Sequence, residues 1–234
     1  MPFQNELLLI ASLIFHFGAV LVAWRFFGKT GLYAMTVFCT VAANIEVAVL
    51  INAFGMEQTL GNVLFAATFL ITDILSENEG KKAADRAVNL GIFTSLLFVL
   101  TTQSWLLFLP AAEDGVMEGM RQVFGGTPRI ILSSMLVYAV TQRFDVWLYH
   151  KWWAFTEKKY GDGKRFLWLR NNGSTLISQL LNTVLFNLAA FWGVYSGEVL
   201  FSIIASGYLI YIVTSLCDTP AAYLARWMKR KYKL

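Results

Sequence analysis

Residues Gly61 to Arg86 read GNVLFAATFLITDILSENEGKKAADR, a span-length apolar run with acids inside it. Asp73 and Glu77 stand four residues apart on one helical face, and the run leaves the apolar phase through Gly80 into Lys81, Lys82 and Arg86. A carboxylate at the depth of Asp73 costs at least ~2.5 kcal/mol if it faces lipid. Asp73 is therefore expected to face a protein interior or a wet cavity and to belong to a functional site.

Composition supports a bilayer setting. Of 234 residues 57% are hydrophobic, aromatic residues are as frequent as charged ones at 15% each, and the mean hydropathy is +0.55. Such values belong to multi-span membrane proteins. At ~20 residues per helical span the length allows six or seven spans, short loops and no separate soluble domain, so residues 1–234 are expected to form one polytopic unit. The net charge of +4 and pI near 9.1 do not imply nucleic acid, because the basic residues sit in short loops beside apolar segments. Cys39 and Cys217 lie in apolar stretches and are expected as small core residues.

Spans are expected at about 6–27, 32–54, 61–79, 88–109, 129–149, 174–195 and 199–220. The first lacks the basic flank and cleavage site of a signal peptide and is read as retained. His16 within it is expected to be a packed or interfacial histidine. The second carries Asn44 and Glu46 near its centre, on nearly opposite sides. The acidic, glycine-rich loop AAEDGVMEGMRQVFGGT is expected to hold a short surface helix. In the fifth, Gln142 and Asp145 share a face, and Arg143, well inside the span, is the expected ion-pair partner for an acid. The sixth presents Gln179 and Asn182 on one face. The seventh is expected to end or kink at Pro220, just after Asp218.

Lys and Arg are distributed asymmetrically. With the N-terminus outside, inner segments hold Arg25 and Lys29; Lys81, Lys82 and Arg86; Lys151, Lys158, Lys159, Lys164, Arg165 and Arg170; and the basic tail after Pro220, while outer segments hold only Arg121 and Arg129. Seven spans with a cytoplasmic C-terminus follow from the positive-inside rule. Asn44 and Glu46 then lie near midplane, Asp73, Gln142, Asp145, Gln179 and Asn182 between midplane and cytoplasm, and Glu77 and Asp218 near the inner surface. Four or five helices thus bring acceptors to similar depth, as suits a ligand rich in N–H donors or cationic, with aromatic rings to stack on. The competing explanation, interhelical hydrogen-bond glue, contributes only ~0.6 kcal/mol per pair and serves single amides better than a set of acids.

Other chemistries lack their residues. No phosphate-binding glycine loop, His/Cys/Glu metal spacing or serine elbow is present, and the seventh span has no lysine for a retinal Schiff base. No cofactor and no metal are expected. An intramembrane enzyme using Asp73 and Asp145 as an aspartyl pair needs carboxyls close enough to share a proton. A structural or receptor-like seven-helix protein is a further alternative.

Four segments in order, FLITDILSENEGKKAADR, QRFDVW from Gln142 to Trp147, STLISQLLNT from Ser174 to Thr183, and CDTPAAYLARW ending the last span, resemble the queuosine precursor transporter family, also described as vitamin uptake transporters. The resemblance implies a non-enzymatic importer of the bacterial inner membrane for 7-cyano- or 7-aminomethyl-7-deazaguanine. Asp73, Gln142, Asp145, Gln179 and Asp218 keep the family pattern; Asn182 stands where members often have Asp, and Tyr211 where some have Lys. A 7-deazaguanine offers ring N–H and NH2 groups that Asp73, Glu46 or Asp145 could accept in bidentate fashion, with Gln142, Gln179, Asn44 and Asn182 completing the bonds. Uptake is expected to be facilitated or proton-coupled, by alternating access. The chain carries no ATPase, so ATP drive would need separate subunits. Its partners are the base and the bilayer, and a homodimer is compatible with the short loops.

Overall fold

In the computed structural model, residues 3–47, 49–125, 128–163 and 165–233 are described; Lys164 and the end of the glycine-rich loop lie outside them. The order is α1 (Gln4–Glu46), β1 (Leu50–Ala53), β2 (Met56–Thr59), α2 (Asn62–Glu79), α3 (Lys81–Trp105), α4 (Met117–Phe124), α5 (Pro128–Tyr160), α6 (Leu167–Phe191) and α7 (Gly197–Tyr232). Four helices, α1, α3, α6 and α7, are long and apolar enough to cross a membrane by length and composition. This is a helical membrane protein.

α1 is two antiparallel arms. Gly28 breaks it at φ 55°, ψ −143°, a conformation open to glycine and strained for any residue with a Cβ. The reversal brings the start of α1 against the hairpin that follows its end. Asn5 Nδ2 donates to Asn52 O at 2.8 Å, and Phe54 N donates to Glu6 Oε1 at 2.9 Å.

The second arm stops at Glu46 rather than reaching residue 54, which corrects the expected span at 32–54. Residues 50–59 form an antiparallel β-hairpin in which Ala53 opposes Met56. Phe54 and Gly55, both at positive φ, make its two-residue turn. The alternating β-branched residues Val47, Val49 and Ile51 ahead of Phe54-Gly55 are strand chemistry that hydropathy alone cannot separate from helix. Glu46 consequently sits at a helix end, not at the centre of a span.

α2 is the axis of the molecule. Val63, Leu64 and every residue from Ala66 to Ser76 are buried, and α2 packs on α1, α3, α5, α6 and α7. A helix buried all round reads as apolar all round, which is why hydrophobic periodicity says little about its orientation. The outer helices turn large apolar side chains outward instead, among them Leu7, Phe15, Phe93, Leu97, Leu136 and Phe201. An apolar surface of that extent is what a bilayer covers.

Further boundaries differ from expectation: α3 begins at Lys81 and α6 at Leu167, each seven residues early, and α5 and α7 end late. α7 runs through Pro220 to Tyr232, because the segment beyond the proline packs inward: Ala221, Ala222 and Ala225 are buried, and Trp24 Nε1 on α1 donates to Ala225 O at 3.0 Å. α5 likewise continues to Tyr160, eleven residues past its expected end at 149. The short helix expected after the fourth span is α4. Cys39 is fully buried, but Cys217 is exposed on α7, correcting its expected core position; both are free thiols. His16 is half-buried, packed edge-on against Phe15.

With α1 counted as two arms and α4 set aside, the long helices alternate between a hairpin end, which holds the start of α1, and a Gly80 end, which holds the close of α7. At the latter Arg25 stacks 3.5 Å from the Tyr232 ring centroid. Gly28→Ala meets no steric neighbour, so its cost is backbone strain alone. We expect it to destabilise the detergent-solubilised protein by roughly 1–3 kcal/mol, read as a lower thermal midpoint.

Candidate functional site

The helices around α2 place their polar side chains in three layers. Along α2 these are marked by Thr68, Asp73 and Glu77, spaced about 7.5 Å and 6 Å apart at 1.5 Å per residue.

The first layer, nearest the hairpin, is a cavity. Thr40 and Asn44 of α1, Asn62, Phe65 and Thr68 of α2, Ser95 of α3, Tyr138 of α5, Asn182 and Phe186 of α6 and Tyr211 of α7 line it, and Thr59 and Gly61 lie at its hairpin side. Its polar groups are neutral. Asn44 Nδ2 donates to Thr40 O at 2.7 Å and reaches Ser95 Oγ at 3.4 Å. The Tyr211 hydroxyl donates to Asn62 Oδ1 at 3.0 Å, and Thr141 Oγ1 reaches Asn182 Oδ1 at 3.5 Å. Phe65 packs within about 6 Å of both the Tyr138 and Tyr211 rings, at 6.1 Å each. Gln142 lies beneath Thr68 at the floor: its Nε2 donates to Thr68 Oγ1 at 2.7 Å while its Oε1 accepts from Thr72 Oγ1 at 3.4 Å.

Of the residues singled out in the sequence, Asn44, Asn182 and Tyr211 line this cavity; no acid does. Glu46 lies at the end of α1, Gln179 is buried on α6 outside the cavity lining, and Asp73, Glu77, Asp145 and Asp218 belong to the layers beyond the floor.

The second layer holds Asp73, Asp145 and Asp218, at most 2% exposed. α6 supplies most of their surroundings. Thr175 Oγ1 donates to Asp73 Oδ2 at 3.1 Å, Asn171 Nδ2 donates to Asp218 Oδ1 at 2.6 Å, and Ser174 and Ser178 face Asp145. Gln179, one turn beyond Thr175 on α6, is buried with Oε1 unpartnered. Neither Asp145 oxygen has a hydrogen-bond partner, and Asp73 Oδ1 has none. Asp73 and Asp145 therefore do not share a hydrogen bond, the arrangement an aspartyl pair requires.

The third layer is ionic. Glu77, its side chain 3% exposed, receives Arg170 Nε at 2.9 Å and Nη2 at 2.7 Å, the Tyr149 hydroxyl at 2.8 Å, and Arg226 at 3.3 Å. Trp153 stacks 4.3 Å from the Arg170 guanidinium. Lys229 adds a link from α7 to Glu79 at 2.7 Å and to the Asn78 carbonyl. The expected cation was Arg143; it is exposed and donates to Asn89 at 3.0 Å, so that assignment is corrected. Arg170 looked like one more loop charge. Its signal was phase: Arg170, Asn171, Ser174, Thr175, Ser178 and Asn182 recur at three- and four-residue steps along one face of α6.

A fold of apolar-surfaced helices around a neutral cavity and buried acids is that of a helical membrane protein with an internal polar site. Residues 59–225 match the family described as "Putative vitamin uptake transporter", and the chain belongs to it. It is 38% identical, over 226 residues covering 97% of this chain and 96% of the relative, to the "Probable queuosine precursor transporter" of Bacillus subtilis (strain 168). No solved structure matches.

Arg170→Gln leaves Glu77 buried without its bidentate partner, and should cost about 3–5 kcal/mol, seen as a lower thermal midpoint. Glu77→Gln in the same chain should recover most of that loss. At the cavity, a Cβ on Gly91 would stand 2.1 Å from the Tyr138 hydroxyl oxygen. Gly91→Ala should displace the ring and lower the thermal midpoint, with partial rescue by Tyr138→Phe.

Proposed function

We propose that this chain takes up 7-deazaguanine precursors of queuosine, the 7-cyano and 7-aminomethyl compounds, across the bacterial inner membrane, holding the base in the cavity beside Thr68. The observation that carries this is the cavity's make-up. The amides of Asn44, Asn62 and Asn182 and the hydroxyls of Tyr138 and Tyr211 can donate to and accept from a purine-like edge, and Phe65 and Phe186 offer ring faces to a planar bicycle. The name of the Bacillus subtilis relative supports that ligand class, and the family supports uptake of a small molecule.

The same chain would form one polytopic unit of seven crossings. An N-terminal end at the hairpin and a C-terminal end at Gly80 require an odd number. Arg25, Lys29, Lys81, Lys82, Arg86, Lys158 and Lys159 gather at the Gly80 end, against Arg121 and Arg129 toward the hairpin, which orients the N-terminus outside and the C-terminus in the cytoplasm. In that orientation the base cavity lies toward the outer face and the Glu77 cluster ties α2, α5, α6 and α7 together on the inner side. Alternating access then consists of breaking the inner ties as the cavity closes above the base. It is transport without catalysis.

Thermal-shift titration of the purified protein tests the ligand. A base that binds only the folded form raises stability as RT ln(1 + [L]/Kd), about 2.7 kcal/mol at a hundredfold excess over Kd. The 7-cyano or 7-aminomethyl base should raise the midpoint while riboflavin does not. Asn182→Ala should abolish the shift and Lys82→Gln should keep it. A shift with riboflavin alone would withdraw the deazaguanine assignment.

A further inference from the structure

The acid layer stands apart from the base cavity. Gln142, bonded to Thr68 and Thr72, lies between them, and none of the three aspartates lines the cavity. These carboxyls have no role in the contacts proposed for the base.

They are also without counter-charge. No ion pair reaches Asp73, Asp145 or Asp218 among the described residues; the nearby cations, Arg170 and Arg226, lie on Glu77. The groups facing the layer are accountable helix by helix. α2 contributes Asp73 and, a turn on, Glu77; α5 contributes Asp145 and Tyr149; α6 contributes Arg170, engaged by Glu77; α7 contributes Asp218 and Arg226. Asp73 lies within electrostatic reach of both other aspartates. Like charges gathered in a buried layer cannot all be ionised, and an unpaired buried carboxylate is among the most costly groups a protein can hold.

Polar groups in the layer are left incomplete. Asn171 Oδ1 and Asp73 Oδ1 are buried and have no hydrogen-bond partner, while the Ser178 hydroxyl faces Asp145. Unpaired acceptors beside carboxyls want hydrogens, and protons on the acids would supply them. The donor set does not suit a single metal ion, because no three carboxylate, imidazole or thiolate groups converge on one point among the described residues. Protons held on separate carboxyls need no such convergence.

We propose that Asp73, Asp145 and Asp218, with Asn171 and Ser178, form a proton site distinct from the base cavity, and that proton exchange at this site is coupled to base transport. It rests on the transport function proposed above. In one half of the cycle a carboxylate oxygen forms an O–H bond with a proton from the outer side; in the other that bond breaks and the proton leaves to the cytoplasm. Nothing is oxidised or reduced. Asp73 is placed to link the two events, since its helix carries the cavity floor at Thr68 and the ionic layer at Glu77. Neutral acids suit the helix movements of alternating access better than charged ones, which would drag an uncompensated charge through a low-dielectric interior.

Two measurements on the full chain test this. The first needs no substrate: infrared spectra of the purified protein near neutral pH should show the carbonyl band of protonated buried carboxyls, diminished in Asp73→Asn, Asp145→Asn and Asp218→Asn. Absence of that band in the unaltered protein overturns the proposal. The second uses liposomes and labelled 7-aminomethyl- or 7-cyano-7-deazaguanine. An inward proton gradient should raise uptake several-fold and acidify the lumen in step with it, as read by a trapped pH dye. In Asp145→Asn that stimulation should vanish while exchange of labelled for unlabelled base persists. Stimulation by a sodium gradient in the presence of a protonophore, or loss of exchange together with stimulation in a folded Asp145→Asn protein, overturns the proton site while leaving base transport intact. If no base exchanges in the unaltered protein, it is the transport assignment that fails, and the infrared band still decides the protonation.

Discussion

Burying α2 on every side is the constraint that shapes the rest of this protein. A helix with no face left for water or lipid can carry Thr68, Thr72, Asp73, Ser76 and Glu77 only if its neighbours bring polar groups to the same heights. They do so in register. α5 answers with Gln142, Asp145 and Tyr149, α6 with Asn182, Thr175 and Arg170, and α7 with Tyr211, Asp218 and Arg226. The three layers are one consequence of a single buried axis, and each differs in how fully its polar demand is met.

That difference in satisfaction separates the layers chemically. In the ionic layer Glu77 is saturated by two arginines and a tyrosine, with Trp153 behind the Arg170 guanidinium, an arrangement that holds four helices in fixed relation. The cavity layer is neutral, its amides and hydroxyls bonded to one another in ways a ligand can replace at little cost. Between them the acid layer holds three buried aspartates, with unfilled hydrogen-bond capacity at Asp73 Oδ1 and Asn171 Oδ1.

The apolar surface fits the same logic from outside. Because α2 occupies the centre, the other helices form a single ring, each with one face on α2 or its neighbour and the other carrying exposed Phe, Leu, Ile and Val. The Gly28 reversal and the Phe54-Gly55 turn let the first two arms join that ring with almost no loop. The tail of α7 closes it by returning onto Trp24, which is why Pro220 is tolerated inside a helix: the missing backbone bond is offset by buried alanines and the Trp24 to Ala225 bond.

Much of this was legible in the linear chain. Apolar runs of span length, the charge asymmetry of the loops and the costly position of Asp73 identify a multi-helix membrane protein with buried acids, since hydrophobicity and net loop charge are local quantities. The order of FLITDILSENEGKKAADR, QRFDVW, STLISQLLNT and CDTPAAYLARW carries the family for the same reason. Local quantities fail where two conformations share a composition: residues 50–59 are as apolar as a helix end yet pair as strands, and Pro220 carries a stop signal that packing overrides. They fail again for pairing. Arg143 and Arg170 are the same residue type, but only the helix rotations set by packing turn Arg170 onto Glu77 and Arg143 outward to Asn89, and only the stacking of five helices around α2 parts the neutral cavity from the aspartates. Burial and partnership depend on residues a hundred positions apart, and those distances exist only once the chain is folded.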